Sequence, residues 1–291
     1  MPSQRRRSIS SRRDWADPAL TLRERIIDHC GGRCEILTVR RAPRFRAHLF
    51  VADVIRRARP TRILGAVDRD LRVMEQSAMD LMRPERLVYG YERMMLVAFS
   101  LVPEPRRALL LGLGGGAMCR HLAAYLPDCE VTVVERDPVV LRLAREYFHL
   151  VRRVRMADAE AVIAQSQGAY DVVLVDLYDG AGAALTPRRF WGDCVAALRP
   201  GGALAINWAE FVGVSRVQDE VKAIRKVAPK SFFLLEHDPR PNIIQVAPTS
   251  RGFTREGLRP RWRDFAAARK LPWTDRAILN GCDVVSRYPV L

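Results

Sequence analysis

The sequence lacks any run of about 18 consecutive apolar residues, the length that a helix needs to cross a bilayer. Its first residues, MPSQRRRSISSRRDW, are basic and contain no apolar stretch of the kind found in a secretory signal. No internal repeat is visible. These absences argue against a membrane-bound protein and a repeat array, and we expect a cytoplasmic protein.

The cysteines lack the paired spacing of a disulfide framework or a zinc site. They are Cys30, Cys34, Cys119, Cys129, Cys194 and Cys282. The spacing of Cys30 and Cys34 would suit half of a metal site, but no second cysteine or histidine pair completes it. We therefore expect reduced thiols and no bound metal.

Acidic residues are in the minority. The 48 lysines and arginines outnumber the 33 aspartates and glutamates, and the formal net charge is +15. Such a surface attracts anionic partners and supports non-specific nucleic-acid binding. No stretch, however, interleaves basic and aromatic residues as nucleic-acid modules do. The sequence therefore allows nucleic-acid contact only through the basic surface. Residues 1–28 form a basic tail that we expect to be disordered, with a short helix or arm at 21–29.

The chain of 291 residues is long enough for a large domain and a smaller one. Between Cys34 and Glu75, short apolar runs alternate with turn residues, and Asp68-Arg69-Asp70 favours a hairpin. This texture predicts a small, β-rich N-terminal domain over residues 29–85.

The rest of the chain alternates apolar runs with helical patterns, which predicts a doubly wound α/β sheet over residues 86–291. The run from Tyr170 to Val175 is apolar almost throughout, as in strands covered on both faces. We also expect a helix from Leu87 to Val102, a strand from Val151 to Met156 and helical cover at the C-terminus. The runs SFFLLEH and NIIQVAP predict a terminal antiparallel hairpin.

One stretch, ALLLGLGGGAMCRHLAAYLPDCEVTVVERD, predicts a strand, a glycine-rich turn, a helix and a second strand that ends on Glu135. Glycines at such a turn let backbone N–H groups approach a ligand closely. An acid at the end of the next strand can hold a ribose diol. The stretch therefore predicts a nucleotide or nucleoside site.

Acidic residues directly follow the predicted strands, where ligands of doubly wound sheets bind. They are Glu135, Asp158, Asp176 and Asp179. Asp158, followed by the small Ala159, could accept a hydrogen bond from an adenine amine, although its position also suits a helix N-cap. Asp176 and Asp179 could bind a cationic amine and take a proton from it, or could cap their loop.

Several motifs, in this order and spacing, resemble the polyamine aminopropyltransferase (spermidine synthase) family. They are MEQSAMDL, RLVYGYERMM, LLLGLGGGAMCRHL, VTVVERDPVVLRLAREYF, VRMADAEAVI, YDVVLVDLYDG and LTPRRFW followed by ALRPGG. The resemblance covers roughly residues 60–247. It implies a Rossmann-like, methyltransferase-type sheet with decarboxylated S-adenosylmethionine as donor and a putrescine-like amine as acceptor. A homodimer, built partly through the N-terminal β unit, is also implied.

The resemblance also implies roles for individual residues. For the donor, it implies Gln76, the turn glycines Gly112, Gly114 and Gly116, the ribose acid Glu135 and the adenine contact Asp158-Ala159. Asp176 would be the catalytic base, Asp179 the acid that holds the amine, and Tyr91 a tyrosine that orients the substrate. A tyrosine on an apolar helix is, on its own, more often a core residue.

The chain departs from the family pattern at a few positions. Gly115 stands in place of an aspartate that contacts the reactive end of the donor, and Gly180 follows Asp179 where proline is usual. His121 occupies a position where glutamate is common. Other functions remain open: an S-adenosylmethionine-dependent methyltransferase, a catalytically altered nucleoside-binding homologue, and an NAD-dependent oxidoreductase that uses the fingerprint Gly112-x-Gly114-x-x-Ala117.

Overall fold

The computed structural model describes residues 21–177, 188–208, 214–237, 242–250 and 252–286. Within these ranges the chain forms one four-stranded and one eight-stranded sheet. No helix in the described part of the chain is both long and apolar enough to span a bilayer. All six cysteines are free thiols.

The N-terminal sheet is antiparallel, with its strands in chain order. It is preceded by helix α1, which begins with a capping box between Thr21 and Glu24. The elements are α1 (Leu22–His29), β1 (Cys34–Ala42), β2 (Ala47–Arg56), β3 (Arg59–Val67) and β4 (Val73–Asp80). The turn before β4 is the predicted one: Asp68 Oδ1 accepts hydrogen bonds from the backbone of Asp70 and Arg72.

Helix α1 overlaps the end of the segment that we expected to be a disordered tail. Ile26 of this helix is buried in the apolar cluster of the N-terminal sheet. The helix therefore packs as part of the N-terminal unit, as the alternative of a short helix at 21–29 predicts. Residues 1–20 lie outside the described residues.

The large sheet has the strand order β12-β10-β11-β9-β8-β5-β6-β7. Its strands are β5 (Arg107–Leu111), β6 (Glu130–Glu135), β7 (Arg155–Met156), β8 (Tyr170–Val175), β9 (Leu198–Trp208), β10 (Phe232–Glu236), β11 (Ile243–Pro248) and β12 (Cys282–Val285). The strands β5 to β9 run parallel, and β10 to β12 add an antiparallel edge. The predicted fold class is confirmed.

The helices cover both faces of the large sheet. They are α2 (Gly90–Met95), α3 (Ala117–Tyr125), α4 (Pro138–Tyr147), α5 (Ala159–Ile163), α6 (Arg188–Ala196), α7 (Val214–Val227), α8 (Leu258–Ala268) and α9 (Trp273–Arg276). Short 3-10 helices span Leu96–Leu101 and Ile278–Asn280. Alternate residues of β8 enter two apolar clusters, Val172 and Leu174 in one and Val173 and Val175 in the other. The apolar sequence of β8 thus fits its burial on both faces.

Three elements differ from the sequence-based expectation. The helix expected from Leu87 to Val102 begins only at Gly90 and continues as a fully buried 3-10 turn. The strand expected from Val151 is reduced to Arg155–Met156 at the sheet edge, and Val151 is 99% exposed. The C-terminal segment contains β12 as well as helices, because its residues pair with β10 along a free edge.

Candidate active site

The glycine-rich turn lies between the ends of β5 and β8. The Gly112 amide donates to Val134 O at 3.0 Å, and the Asp176 amide donates to Leu111 O at 2.9 Å. A Cβ atom on Gly112 would stand 2.1 Å from the backbone oxygen of Asp176, and φ at Gly112 is +101°. Only glycine therefore allows this approach of the two strand ends.

The remaining glycines predicted to bind the donor lie further along the same turn. Gly114 faces the cleft at the carboxyl edge of the sheet, as Gly112 does. Gly116 is the N-cap residue of α3 and is in a left-handed conformation. Its contribution to the turn is therefore conformational.

Glu135 ends β6 at the rim of the same cleft. Its carboxylate accepts hydrogen bonds from the amides of Arg136 and Asp137, each at 2.8 Å, and from the Leu113 amide at 3.2 Å. Burial raises the pKa of Glu135, and the backbone hydrogen bonds oppose that increase. They hold the carboxylate beside the glycine turn.

Asp158 occupies the N-cap position of α5, but its side chain makes no capping hydrogen bond. Asp158 and the following Ala159 line the cleft. The capping alternative considered from the sequence is therefore correct for the position of Asp158 along the chain. It does not hold for the side chain, because the carboxylate makes no hydrogen bond to the start of α5. Asp137 differs, because its side chain caps α4 by accepting from the Val139 amide at 2.7 Å.

Asp176 follows β8 and lines the cleft opposite the acids of β6 and α5. Its Oδ1 accepts from the Asn207 side-chain amide at 2.9 Å, and its Oδ2 accepts from the Tyr91 hydroxyl at 3.4 Å. Burial raises the pKa of Asp176, while the hydrogen bonds from Asn207 and Tyr91 act to lower it. The carboxylate is thus held in one orientation by two donors.

The N-terminal sheet closes the cleft from the other side. Gln76 of β4 lines it, together with Leu49, Leu64 and the hairpin residues Arg44 and Phe45. Arg44 also donates to the carbonyl of Arg136 at 2.9 Å, which ties the hairpin to the loop after Glu135. The cleft therefore lies between the two sheets.

The structure brings the described candidate residues to one place. Gln76, Gly112, Gly114, Glu135, Asp158, Ala159 and Asp176 line the cleft, and Tyr91 reaches it through Asp176. Asp179, predicted to hold the amine, and the neighbouring Gly180 lie outside the described residues.

Sequence reasoning missed two polar residues near Asp176. Asn207, near the end of β9, is the hydrogen-bond donor to Asp176, and its own Oδ1 has no partner among the described residues. Glu92 of α2 is 2% exposed, and burial raises its pKa to about 8, with Asp176 among the neighbouring charges. The apolar residues around Asn207 predicted only a strand. The position of Asn207 near the end of that strand could have indicated a site residue, because ligands bind at the strand ends of such sheets.

Gly115 is enclosed by side chains. A Cβ atom there would stand 2.9 Å from Ser77 Oγ and 3.0 Å from Phe148 Cδ1. The Gly115 carbonyl accepts a hydrogen bond from Arg120 at 2.6 Å, which fixes the peptide. The space that a side chain at this position would enter is thus already filled.

His121 lies away from the cleft and is fully buried. Its Nδ1 is 2.9 Å from the carbonyl of Glu85, and burial lowers its pKa to about 4. No group of three or more histidine, cysteine, aspartate or glutamate side chains is placed to hold a metal ion in the part of the chain that the structure describes.

A glycine turn and several acids at the carboxyl ends of parallel strands are typical of α/β proteins with a methyltransferase-like fold. The sequence profile of the spermine/spermidine synthase domain matches residues 89–235. The chain therefore belongs to the spermine/spermidine synthase family, as its motifs predicted.

Individual relatives agree with this assignment. A polyamine aminopropyltransferase of Chromobacterium violaceum is 35% identical over 159 residues, which cover 52% of this chain and 60% of that protein. A polyamine aminopropyltransferase of Neisseria meningitidis is 31% identical over 180 residues, 59% of this chain and 68% of the relative. The crystal structure of a probable spermidine synthase from Corynebacterium glutamicum is 19% identical with a TM-score of 0.65, covering 86% of this chain and 91% of that one. That likeness shows the fold.

Proposed function

We propose that this protein is an aminopropyltransferase that moves an aminopropyl group from decarboxylated S-adenosylmethionine to a putrescine-like amine. The observation that carries the proposal is the oriented carboxylate of Asp176. It lies at the carboxyl edge of the sheet with Asn207 and Tyr91 as its hydrogen-bond donors. The names of the relatives, polyamine aminopropyltransferases, support it.

The donor would bind in the cleft between the two sheets. Glu135 would accept hydrogen bonds from the ribose hydroxyls, and Asp158 one from the adenine amine, with Ala159 leaving room for the ring. Gly112 and Gly114 let the backbone approach the nucleoside, and Gln76 closes the cleft from β4.

The reaction is a displacement at carbon. The amine nitrogen attacks the methylene carbon next to the sulfonium, the new N–C bond forms and the C–S bond breaks with its electron pair returning to sulfur. The sulfonium becomes a neutral thioether, and the proton lost from the amine nitrogen goes to Asp176. A general base in this position contributes about 10²- to 10⁴-fold to the rate.

The amine end of the site would combine several acceptors. Asp179 is proposed as its second acid. Among the described residues, the Asn207 Oδ1 atom has no hydrogen-bond partner, and it offers a further acceptor beside Asp176. Two carboxylates and an amide oxygen suit an ammonium group, which has several donors and no acceptor.

A methyltransferase is the second candidate, and Gly115 is the observation that favours it. The buried side chains of Ser77 and Phe148 fill the space beside Gly115, where other family members carry an aspartate. Loss of one acid weakens recognition of a cationic aminopropyl group. Isothermal titration with each donor separates the two functions: tighter binding of the carboxylated donor would favour methyl transfer.

The decisive experiment is incubation with isotopically labelled decarboxylated S-adenosylmethionine and a panel of diamines, with mass spectrometry of the products. We expect one diamine to gain an aminopropyl group. A product that gains only a methyl group, or no product from any amine, would contradict the proposal.

The remaining expectations are also proposals. We treat residues 29–85 and 86–291 as an N-terminal and a catalytic domain, since each contains its own sheet. We also propose a cytoplasmic homodimer that uses the N-terminal sheet. Sedimentation of the intact chain would test whether it is a dimer.

A further inference from the structure

A charged cluster centred on Glu75 lies at the junction of the N-terminal sheet and helix α2. The Glu75 side chain is 14% exposed and contacts three residues from separate elements. Arg56 of β2 donates to both carboxylate oxygens, and His29 Nε2 of α1 lies 3.1 Å from Oε1. The Tyr89 hydroxyl donates a hydrogen bond to Oε2. Glu75 thus joins α1, β2 and the residue that precedes α2.

Tyr89 connects this cluster to the proposed base. Its ring stacks on the ring of Tyr91, with the centroids 5.9 Å apart and the planes inclined by 17°. The hydroxyl of Tyr91 donates to Asp176 Oδ2 at 3.4 Å. A continuous series of contacts therefore runs from Glu75 through two stacked tyrosines to Asp176.

We propose that Glu75 is a positioning residue for amine transfer, which holds Tyr89 and, through the stacked ring of Tyr91, sets the orientation of the Asp176 carboxylate. This inference rests on the proposed function. Glu75 touches neither the donor cleft nor Asp176, and its neighbour in β4, Gln76, is the one that lines the cleft. The same strand would thereby fix the nucleoside on one side and the base on the other.

Glu75 itself stays ionised across the working pH range. Burial alone would raise its pKa, but the hydrogen bonds from His29, Arg56 and Tyr89 lower it to about 2. The other titratable group facing it is the Cys30 thiol, whose pKa burial raises to about 12. Any effect of Glu75 on the pH profile must therefore arise at Asp176 or at its titratable neighbours Tyr91 and Glu92. The Glu92 carboxylate accepts from the Tyr89 amide at 3.2 Å, and burial raises its pKa to about 8.

The test replaces Glu75 by Gln, which removes the negative charge that Arg56 and His29 contact. Separately, it replaces Tyr89 by Phe, which removes the hydrogen bond to Glu75 but keeps the stacked ring. The matched control is Asp53→Asn. Asp53 receives a bidentate contact from Arg62 in the same sheet, at 2.7 and 2.8 Å, and has no connection to Tyr91. Glu75→Gln and Asp53→Asn each remove an ion pair, so both are expected to lower stability. The two variants are therefore distinguished by kcat and its pH profile and not by stability.

We expect kcat to fall about 10-fold in Glu75→Gln and Tyr89→Phe, since misplacement of a catalytic group costs up to about 100-fold. The KM for the donor should stay within about twofold. The acidic limb of the kcat profile should move to higher pH, because a weaker hydrogen bond from Tyr91 raises the pKa of Asp176. Asp53→Asn should show neither change.

A double-mutant cycle with Tyr91→Phe tests the route. If Glu75 acts through the Tyr91 hydroxyl, Glu75→Gln has no further effect on the acidic limb in the Tyr91→Phe background. Additive effects, or a Glu75→Gln profile that matches Asp53→Asn, would overturn the inference. The titration of the Asp176 carboxyl carbon, followed by NMR, needs no turnover. A wild type without transferase activity whose Asp176 titration still shifts in Glu75→Gln would refute the proposed function and leave the positioning role standing.

Discussion

Ser77 Oγ lies 2.9 Å from the point that a Cβ atom on Gly115 would occupy. Ser77 belongs to β4 of the N-terminal sheet and is 3% exposed, whereas Gly115 belongs to the glycine turn of the large sheet. The ring of Phe148 closes the same space from another direction. Residues from two other segments, Ser77 and Phe148, thus fill the space that a side chain at position 115 would occupy.

The Gly115–Ser77 contact predicts that an aspartate cannot simply be restored. Gly115→Asp should lower the free energy of unfolding by about 1–3 kcal/mol, the usual cost of inserting atoms into a packed site. Ser77→Ala removes the nearest atom and should recover part of the loss in the double variant. Thermal unfolding of the two single variants and the double variant measures this.

A helix glycine provides the control for that series. Gly192 of α6 has open space where its Cβ would stand, so Gly192→Ala should raise stability slightly. If Gly115→Asp lowered the free energy of unfolding equally with and without Ser77→Ala, the two positions would not compete for space.

Asp176→Asn should reduce turnover by about 100-fold or more, because an amide cannot take the proton that the amine loses. Binding of the nucleoside should change little, since Glu135 and Asp158 are unaltered. Steady-state kinetics and isothermal titration of the thioether product give the two values. An active preparation that kept full turnover after this change would show that another group is the base.

The sequence predicted the parts of this site that follow from local order along the chain. Glu135 ends a strand, Asp176 directly follows one and Asp158 lies just beyond one, and parallel strands bring their carboxyl ends to one edge. The strand β8 was recognisable because burial on both faces requires an apolar run. The direction of the parallel strands therefore located the side of the cleft that the large sheet forms.

The missing parts depend on contacts between distant segments. Asn207 reaches Asp176 from a position 31 residues away in the chain. Tyr91, which only the family resemblance indicated, reaches it from 85 residues away. Glu92 lies in a stretch whose apolar pattern predicted only a packed helix, and its burial became evident from the fold. Ser77 and Gly115 likewise meet only because the two sheets face each other.

Glu92 predicts a pH-dependent stability. In the folded chain burial raises its pKa to about 8 from an ordinary value of 4.5. Between these values the unfolded chain loses the proton and the folded chain keeps it, so stability falls as pH rises. In this interval the free energy of unfolding of the wild type, relative to that of Glu92→Gln, should fall by at most about 1.4 kcal/mol per pH unit.

Urea unfolding at about pH 5 and about pH 8 measures that difference. Glu104→Gln is the matched control, because the Glu104 side chain is 74% exposed and is solvated in both states. Parallel pH trends in the wild type and Glu92→Gln would mean that Glu92 is ionised in the folded protein.

Asn207 provides the last prediction. Its amide donates to Asp176 Oδ1 at 2.9 Å, and this hydrogen bond acts to lower the pKa of Asp176. Asn207→Leu keeps a similar volume but removes the donor, so the pKa of Asp176 should rise. A base must be unprotonated to act, and the acidic limb of kcat should therefore move to higher pH, with much of the rate recovered on its alkaline side.

Gln245→Leu is the control for this change. Gln245 is a fully buried amide in the adjacent strand β11 that accepts from the Trp208 indole at 3.2 Å and does not contact Asp176. Its replacement should lower stability and leave the acidic limb in place. If Asn207→Leu also left the limb unmoved, the Asn207 amide would have no influence on the ionisation of Asp176.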